Sequence, residues 1–134
     1  MTVLYSAALG DRTIEQVRET ARDGFWYLAT PYTDYPVGTE AAFHDAVKAQ
    51  AFLMAAGVLV FCPIAHTHPA AAAGLVGNHD FWLRADRPFM KAAMGIIVVE
   101  MNGWDTSRGI KAEREEFRRL GKPELFMKWP LGED

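Results

Sequence analysis

Gly95-Ile96-Ile97-Val98-Val99-Glu100-Met101 is the stretch on which the fold turns. Branched aliphatic residues follow one another here with no polar residue between them. Both sides of an extended segment are then apolar, as a strand inside a parallel sheet requires. Residues 102–106, Asn-Gly-Trp-Asp-Thr, have the composition of a turn. Residues 107–120 then place Ile110, Phe117 and Leu120 on one helical stripe that stops at Gly121. The same grammar continues on both sides. Upstream, Phe25-Trp26-Tyr27-Leu28-Ala29-Thr30 is a compact apolar strand broken by Pro31, and 32–39 is a loop. Residues 40–56 carry Phe43, Ala46, Val47, Leu53 and Met54 on one helical face, closed by Gly57. Residues 58–62 form a second strand ended by Pro63, and 64–77 read as a long loop of the kind that often serves function. Residues 81–94 are helical in pattern, kinked or restarted at Pro88, and 123–128 give a fourth strand.

Strands alternating with helices at this spacing predict an α/β fold. The expected architecture is a flavodoxin- or Rossmann-like open parallel sheet of four to five strands with helices on both faces. One domain spans 1–134, with 1–24 as an N-terminal appendage built around a short helix at 13–23, where Ile14, Val17 and Ala21 share a face. Ligands of such sheets bind beyond the carboxyl ends of the strands, which places the chemistry at 30–32, 63–68 and 102–107.

Composition narrows the function classes. The chain has 134 residues, 50% hydrophobic and 23% charged, enough for a core without disulfide or structural metal. Fourteen Lys+Arg against 17 Asp+Glu leave a formal charge of −3, with no basic run that would follow a phosphate backbone, so a nucleic-acid strand is not an expected partner. The single cysteine, Cys62, forbids an intramolecular disulfide and a multi-cysteine zinc site, and reads as a small buried hydrophobe. The apolar start lacks a basic segment, and no apolar run is long enough to span a bilayer. The expectation is a soluble cytoplasmic protein with no membrane partner.

Neither a Gly-x-Gly-x-x-Gly fingerprint nor a Gly-Lys-Ser/Thr phosphate loop is present. Two carboxylates stand out by position instead. Glu113 falls on the stripe of Ile110 and Phe117, inside the first turns of its helix, where desolvating an acid is costly and the helix dipole compensates only in part. The alternative is that Glu113 reaches water or an arginine from the stripe's edge. Asp86 falls on the stripe of Trp82, Phe89 and Ala93, and with Pro88 two residues on it could instead cap a helix. Two inward acids near strand ends suit acid/base or nucleophilic work on a glycosidic bond. Tyr27, within a buried strand, needs a partner for its hydroxyl, and a buried carboxylate would serve.

Tyr27-Leu28-Ala29-Thr30-Pro31-Tyr32, Cys62-Pro63, Asp86 and the run from Gly103-Trp104-Asp105-Thr106-Ser107 through Gly109 to Glu113 together resemble the nucleoside 2-deoxyribosyltransferase superfamily. They resemble in particular its small DUF1937-like and DUF4406-like branches, marked by Gly-Trp-x-x-Ser-x-Gly-x-x-x-Glu. The resemblance covers about 25–128. It implies Glu113 as nucleophile, Asp86 as the acid that handles the base's proton, and Tyr27 as the group that orients Glu113. It implies Ser107 as a contact to a 5′-phosphate, a role compatible with capping its helix, and Gly109 as a close approach to the sugar. Asp105, Trp104, Thr30 and His66 complete the expected substrate contacts, Trp104 by stacking on a base. The implied reaction is cleavage or transfer at the N-glycosidic bond of a nucleoside or nucleoside 5′-monophosphate through a covalent glycosyl-glutamate, with no cofactor and no metal. For it, Glu113 must be ionised and Asp86 must carry a proton. A homodimer or larger homo-oligomer is also implied, with Phe126 and Trp129 as interface residues.

The transferases of this superfamily use an asparagine near the C-terminus, whereas the asparagines here are Asn78 and Asn102. That weakens transfer relative to hydrolysis or to a different glycosyl substrate. His66-Thr67-His68, with His79 and Asp80 further on, is foreign to those enzymes. As a metal site it shows no supporting partners; substrate contact or a loop-ordering hydrogen bond is the preferred reading. The rival from another class is a nucleotide-binding module of the same fold without catalysis.

Overall fold

Period-two alternation divides the strand side chains between the faces of one sheet, and both sets are buried. The computed structural model describes residues 12–20 and 23–129. Expectations about the apolar start and about the tail beyond Trp129 lie outside the described residues. The elements run α1 (Ile14–Thr20), β1 (Trp26–Ala29), α2 (Thr39–Ala55), β2 (Val60–Phe61), α3 (Pro63–Ala72), α4 (His79–Ala92), β3 (Ile96–Glu100), α5 (Arg108–Arg119) and β4 (Glu124–Lys128). The strands form one four-stranded sheet in the order β2-β1-β3-β4, parallel throughout. This is an open α/β fold of Rossmann-like type, as the alternation predicts.

Trp26, Leu28, Ile97, Val99, Leu125 and Met127 point to one face, where they meet Ile14 and Val17 of α1 and Ala46, Ala49 and Leu53 of α2. Tyr27, Ala29, Ile96 and Val98 point to the other, against Met90 of α4 and Ile110 and Phe117 of α5. β1 and β3 are therefore buried on both sides, which explains why their sequences read as continuous apolar runs. In the register Tyr27 lies beside Phe61 on one side and Ile96 on the other. The helix expected as an appendage is part of the core: Ile14 and Val17 are both buried.

Two glycines fix close approaches. A Cβ at Gly95 would lie 2.5 Å from both the Pro123 carbonyl oxygen and Trp26 Cζ3, so only glycine lets β3 begin against β4. Gly57, at φ 90°, ends α2 while the Arg18 guanidinium donates to Ala56 O at 3.0 Å. At the far end of α4, Lys122 Nζ donates to the carbonyls of Met90, Lys91 and Ala93, satisfying acceptors that a helix terminus leaves open.

Three expectations need correction. Residues 64–77 are not one long loop: α3 starts at Pro63, which occupies the first helical turn where a missing N–H is harmless, and runs to Ala72 with Pro69 inside it. The second strand is only Val60–Phe61, since the chain turns into α3 immediately. Asp86 does not cap its helix. Asn78 caps α4, its side chain accepting from Phe81 N at 2.8 Å, so Asp86 lies well inside. Phe126 meets Trp104 edge-on and Trp129 rests on the core, each partly buried. No helix among the described residues is long and apolar enough to cross a membrane.

Candidate active site

The strand order reverses direction between β1 and β3, and beyond their carboxyl ends lies a cavity of about 690 Å³. Its walls come from the segment after β1, from α3, from α4 and from the start of α5. The lining includes Thr30, Tyr32, His68, Asp86, Ser107 and Glu113. Local sequence explains each placement. Ser107 caps α5 by accepting from Ile110 N at 3.2 Å, which fixes the helix start and carries Glu113 inward between Ile110 and Phe117. Tyr27 reaches the same point from beneath the cavity, because alternation along β1 turns it toward the α5 side.

Tyr27 Oη donates to Glu113 Oε2 at 2.5 Å. The sequence expectation of a buried tyrosine paired with a buried carboxylate is met. Glu113 is 8% exposed, and burial pushes its pKa from 4.5 up to about 8, with the Tyr27 hydrogen bond pulling down and the Asp86 charge pushing up. Burial also raises Asp86 from 3.8 to about 6, against the lowering effect of the Tyr27 hydroxyl. Tyr27 itself is held well above the ordinary phenol value by burial and then by the Glu113 and Asp86 charges, so it stays a donor. The two acids thus share an electrostatic neighbourhood, with the Tyr27 hydroxyl proton directed to Glu113. Burial raises both acids, and Glu113 is the more deeply buried of the two.

Other expected contacts divide. Thr30 is buried at the end of β1 and lines the cavity. Ser107 and Gly109 line it at the start of α5. A Cβ on Gly109 would meet nothing nearer than Ser107 Oγ at 3.9 Å, so its bare backbone is open to an approaching ligand. Trp104 and Asp105 lie outside this cavity, along a separate surface depression on the outer side of α5. Trp104 packs on Phe126 with centroids 5.5 Å apart, under the Arg114 guanidinium, and is not presented for stacking on a cavity ligand. His66 is also absent from the cavity lining and contacts Phe61 and Phe89 instead. Cys62 is buried, with its thiol pushed up to about 11 by desolvation, consistent with an inert core residue. Among the described residues, no group of three or more His, Cys, Asp or Glu side chains converges as metal ligands.

Sequence reading missed an ordered polar group in the cavity wall, carried by α3 and the segment after β1. Tyr32 Oη lies 2.8 Å from His68 Nδ1, and His68 Nε2 lies 3.1 Å from Glu40 Oε1. Phe43 stacks on the His68 ring at 4.4 Å. Arg108, Trp82 and His79 also line the cavity. The His-x-His motif signalled this wall, but its second histidine is the one that faces the ligand space.

Fold and site together define an open-sheet α/β protein with a tyrosine-bonded glutamate and a neighbouring aspartate at the sheet's switch point. Residues 24–128 match the family described as a domain of unknown function (DUF1937), and the chain belongs to that family. No curated protein matches it.

Proposed function

We propose that this protein cleaves the N-glycosidic bond of a nucleoside or nucleoside 5′-monophosphate, passing the sugar to water or to a second base. The observation that carries the reading is the convergence of Glu113, Asp86 and Tyr27 at one end of a nucleoside-sized cavity. Resemblance to the nucleoside 2-deoxyribosyltransferase superfamily supports it, with Glu113 at its motif's glutamate position.

Glu113 attacks the anomeric carbon as the bond from that carbon to the base nitrogen breaks; the bonding pair leaves with the base, which takes a proton from Asp86. Tyr27 holds the attacking carboxylate in place and stabilises its charge. Water then displaces Glu113 from the sugar, its proton passing to the Asp86 carboxylate. The start of α5, with Ser107, Gly109 and Arg108, receives the sugar's 5′ end, since a capped helix N-terminus with an adjacent guanidinium favours a phosphate.

The mechanism needs a proton on Asp86 and none on Glu113, two acids that burial raises. The pH profile of kcat/KM is therefore bell-shaped, with limbs belonging to the coupled pair near 6 and 8. The test is incubation with a panel of nucleosides and 5′-monophosphates, with and without a free acceptor base. Release of base without acceptor is the expected outcome, lost in Glu113→Ala. Exchange only with acceptor would mean transfer. Ligand-induced thermal stabilisation without turnover would identify a binding module, and full activity in Glu113→Ala would refute the mechanism.

A further inference from the structure

A carboxylate only accepts hydrogen bonds, so the contact between His68 Nε2 and Glu40 Oε1 at 3.1 Å places a proton on Nε2. In neutral His68 the other nitrogen, Nδ1, then carries a lone pair. Tyr32 Oη, 2.8 Å away, must donate its only proton to that lone pair. With His68 neutral, what Tyr32 has left for the cavity is oxygen lone pairs alone. The ring plane that sets this direction is held by Phe43, stacked on His68 with 21° between planes, and His68 is itself only 10% exposed. Glu40 is not among the cavity-lining residues, so it acts on the cavity only through His68.

Resting on the glycosidase reading above, the in-line departure of the base sends it away from Glu113 and from the sugar end at α5. Tyr32 and His68 line that same cavity from the segment after β1 and from α3, whereas Ser107, Gly109 and Glu113 line it from α5, and on this reading the base is received by the former. We propose that Tyr32 is a specificity-determining residue: oriented by His68 and Glu40, its hydroxyl presents a hydrogen-bond acceptor that selects bases bearing an exocyclic amino group over their oxo counterparts. An amino group donates to the Tyr32 oxygen, whereas a carbonyl there faces lone pair against lone pair and leaves a desolvated acceptor unpaired.

Equilibrium binding, by calorimetry on the full chain carrying Glu113→Ala so that no probe is consumed, tests this independently of turnover. The matched probes are adenosine against inosine and cytidine against uridine, each also as the 5′-monophosphate. At least one amino member is expected to bind about tenfold more tightly than its oxo partner, the size of one lost hydrogen bond with an unpaired group. Tyr32→Phe brings the ratio close to one, chiefly by weakening the amino member. Glu40→Gln also narrows the ratio, although Glu40 is 72% exposed and its replacement leaves the fold unthreatened. That response separates positioning from a merely structural role, because a structural Tyr32 would be indifferent to Glu40. Equal affinities, an oxo preference, no binding of any probe, or a ratio untouched by either substitution would each overturn the inference. So would a loss of affinity confined to 2′- or 3′-deoxy sugars, which would move the contact to the ribose. Binding with the expected ratio but no release of base by the wild-type protein would leave this inference standing and refute the glycosidase reading.

Discussion

Replacing Glu113 with glutamine should make the protein more stable at alkaline pH, and the gain should vanish in acid. The side chain keeps its shape and its acceptor for Tyr27 while losing its ability to ionise. In the native protein burial lifts Glu113 from 4.5 to about 8. At ~1.4 kcal/mol for each tenfold change in proton affinity, that difference corresponds to roughly 5 kcal/mol as a ceiling. Below the lower value both folded and unfolded chains hold the proton, and stability is at its full extent. Between the two values the unfolded chain has released its proton and the folded chain has not, so stability falls as pH rises, and the loss is complete above the folded value. Asp86 titrates lower, near 6, and contributes little to the change above neutrality. Urea unfolding followed by tryptophan fluorescence and far-UV circular dichroism, repeated from about pH 5 to about pH 9, reads the effect directly. The variant should gain roughly 3–4 kcal/mol on wild type across that range. A difference between the two proteins that stays constant within about 0.5 kcal/mol would refute the claim that Glu113 is a desolvated acid.

Two further outcomes follow from the packing. Gly95→Ala drives a Cβ into the Pro123 carbonyl oxygen and the Trp26 ring. Backbone on one side and a buried indole on the other leave little room to yield, so the substitution should cost about 1–3 kcal/mol in urea unfolding; a neutral result would mean the β3–β4 junction is not rigid. Lys122→Met removes the donor to three carbonyls at the end of α4. It should cost about 1–2 kcal/mol and speed hydrogen exchange in the last turn of α4, where unchanged exchange would count against the capping role.

How far the sequence led depended on whether information was local. Ile96–Val99 and Tyr27–Ala29 are buried on both faces, so burial alone writes an apolar run that can be read without partners. Glu113 was legible because three residues separate it from Ile110 and four from Phe117, and helical geometry ties such spacing to one face. α3 was not legible. His66, Thr67, His68 and Pro69 interrupt any apolar stripe, and its only local signal, Pro63 in the first turn, also reads as the end of a strand. Missing α3 concealed the wall it carries, since Tyr32, His68 and Glu40 are joined by contacts 36 and 28 residues apart in sequence. Asp86 was misread as a possible cap because Asn78, the true cap, lies ahead of the recognised stripe. Trp104 reads as a stacking residue because it sits in the motif turn, while Phe126 and Arg114, which hold it, lie beyond that turn.

Tyr27 belongs at once to the cavity's machinery and to the central strand. Its amide donates to Gly95 O at 2.9 Å, and its ring contacts Phe61 and Phe117. Amides in such a strand exchange with solvent only when the whole molecule opens, whereas the segment around Tyr32 and Asp34 is tied down by far fewer backbone bonds. A ligand can therefore enter by motions at the rim that leave the nucleophile's support undisturbed. Heating gives the opposite situation: the geometry around Glu113 and the cooperative core dissolve in one transition. Activity and tertiary structure should therefore fade together on warming, with no window in which a loosened protein still turns over.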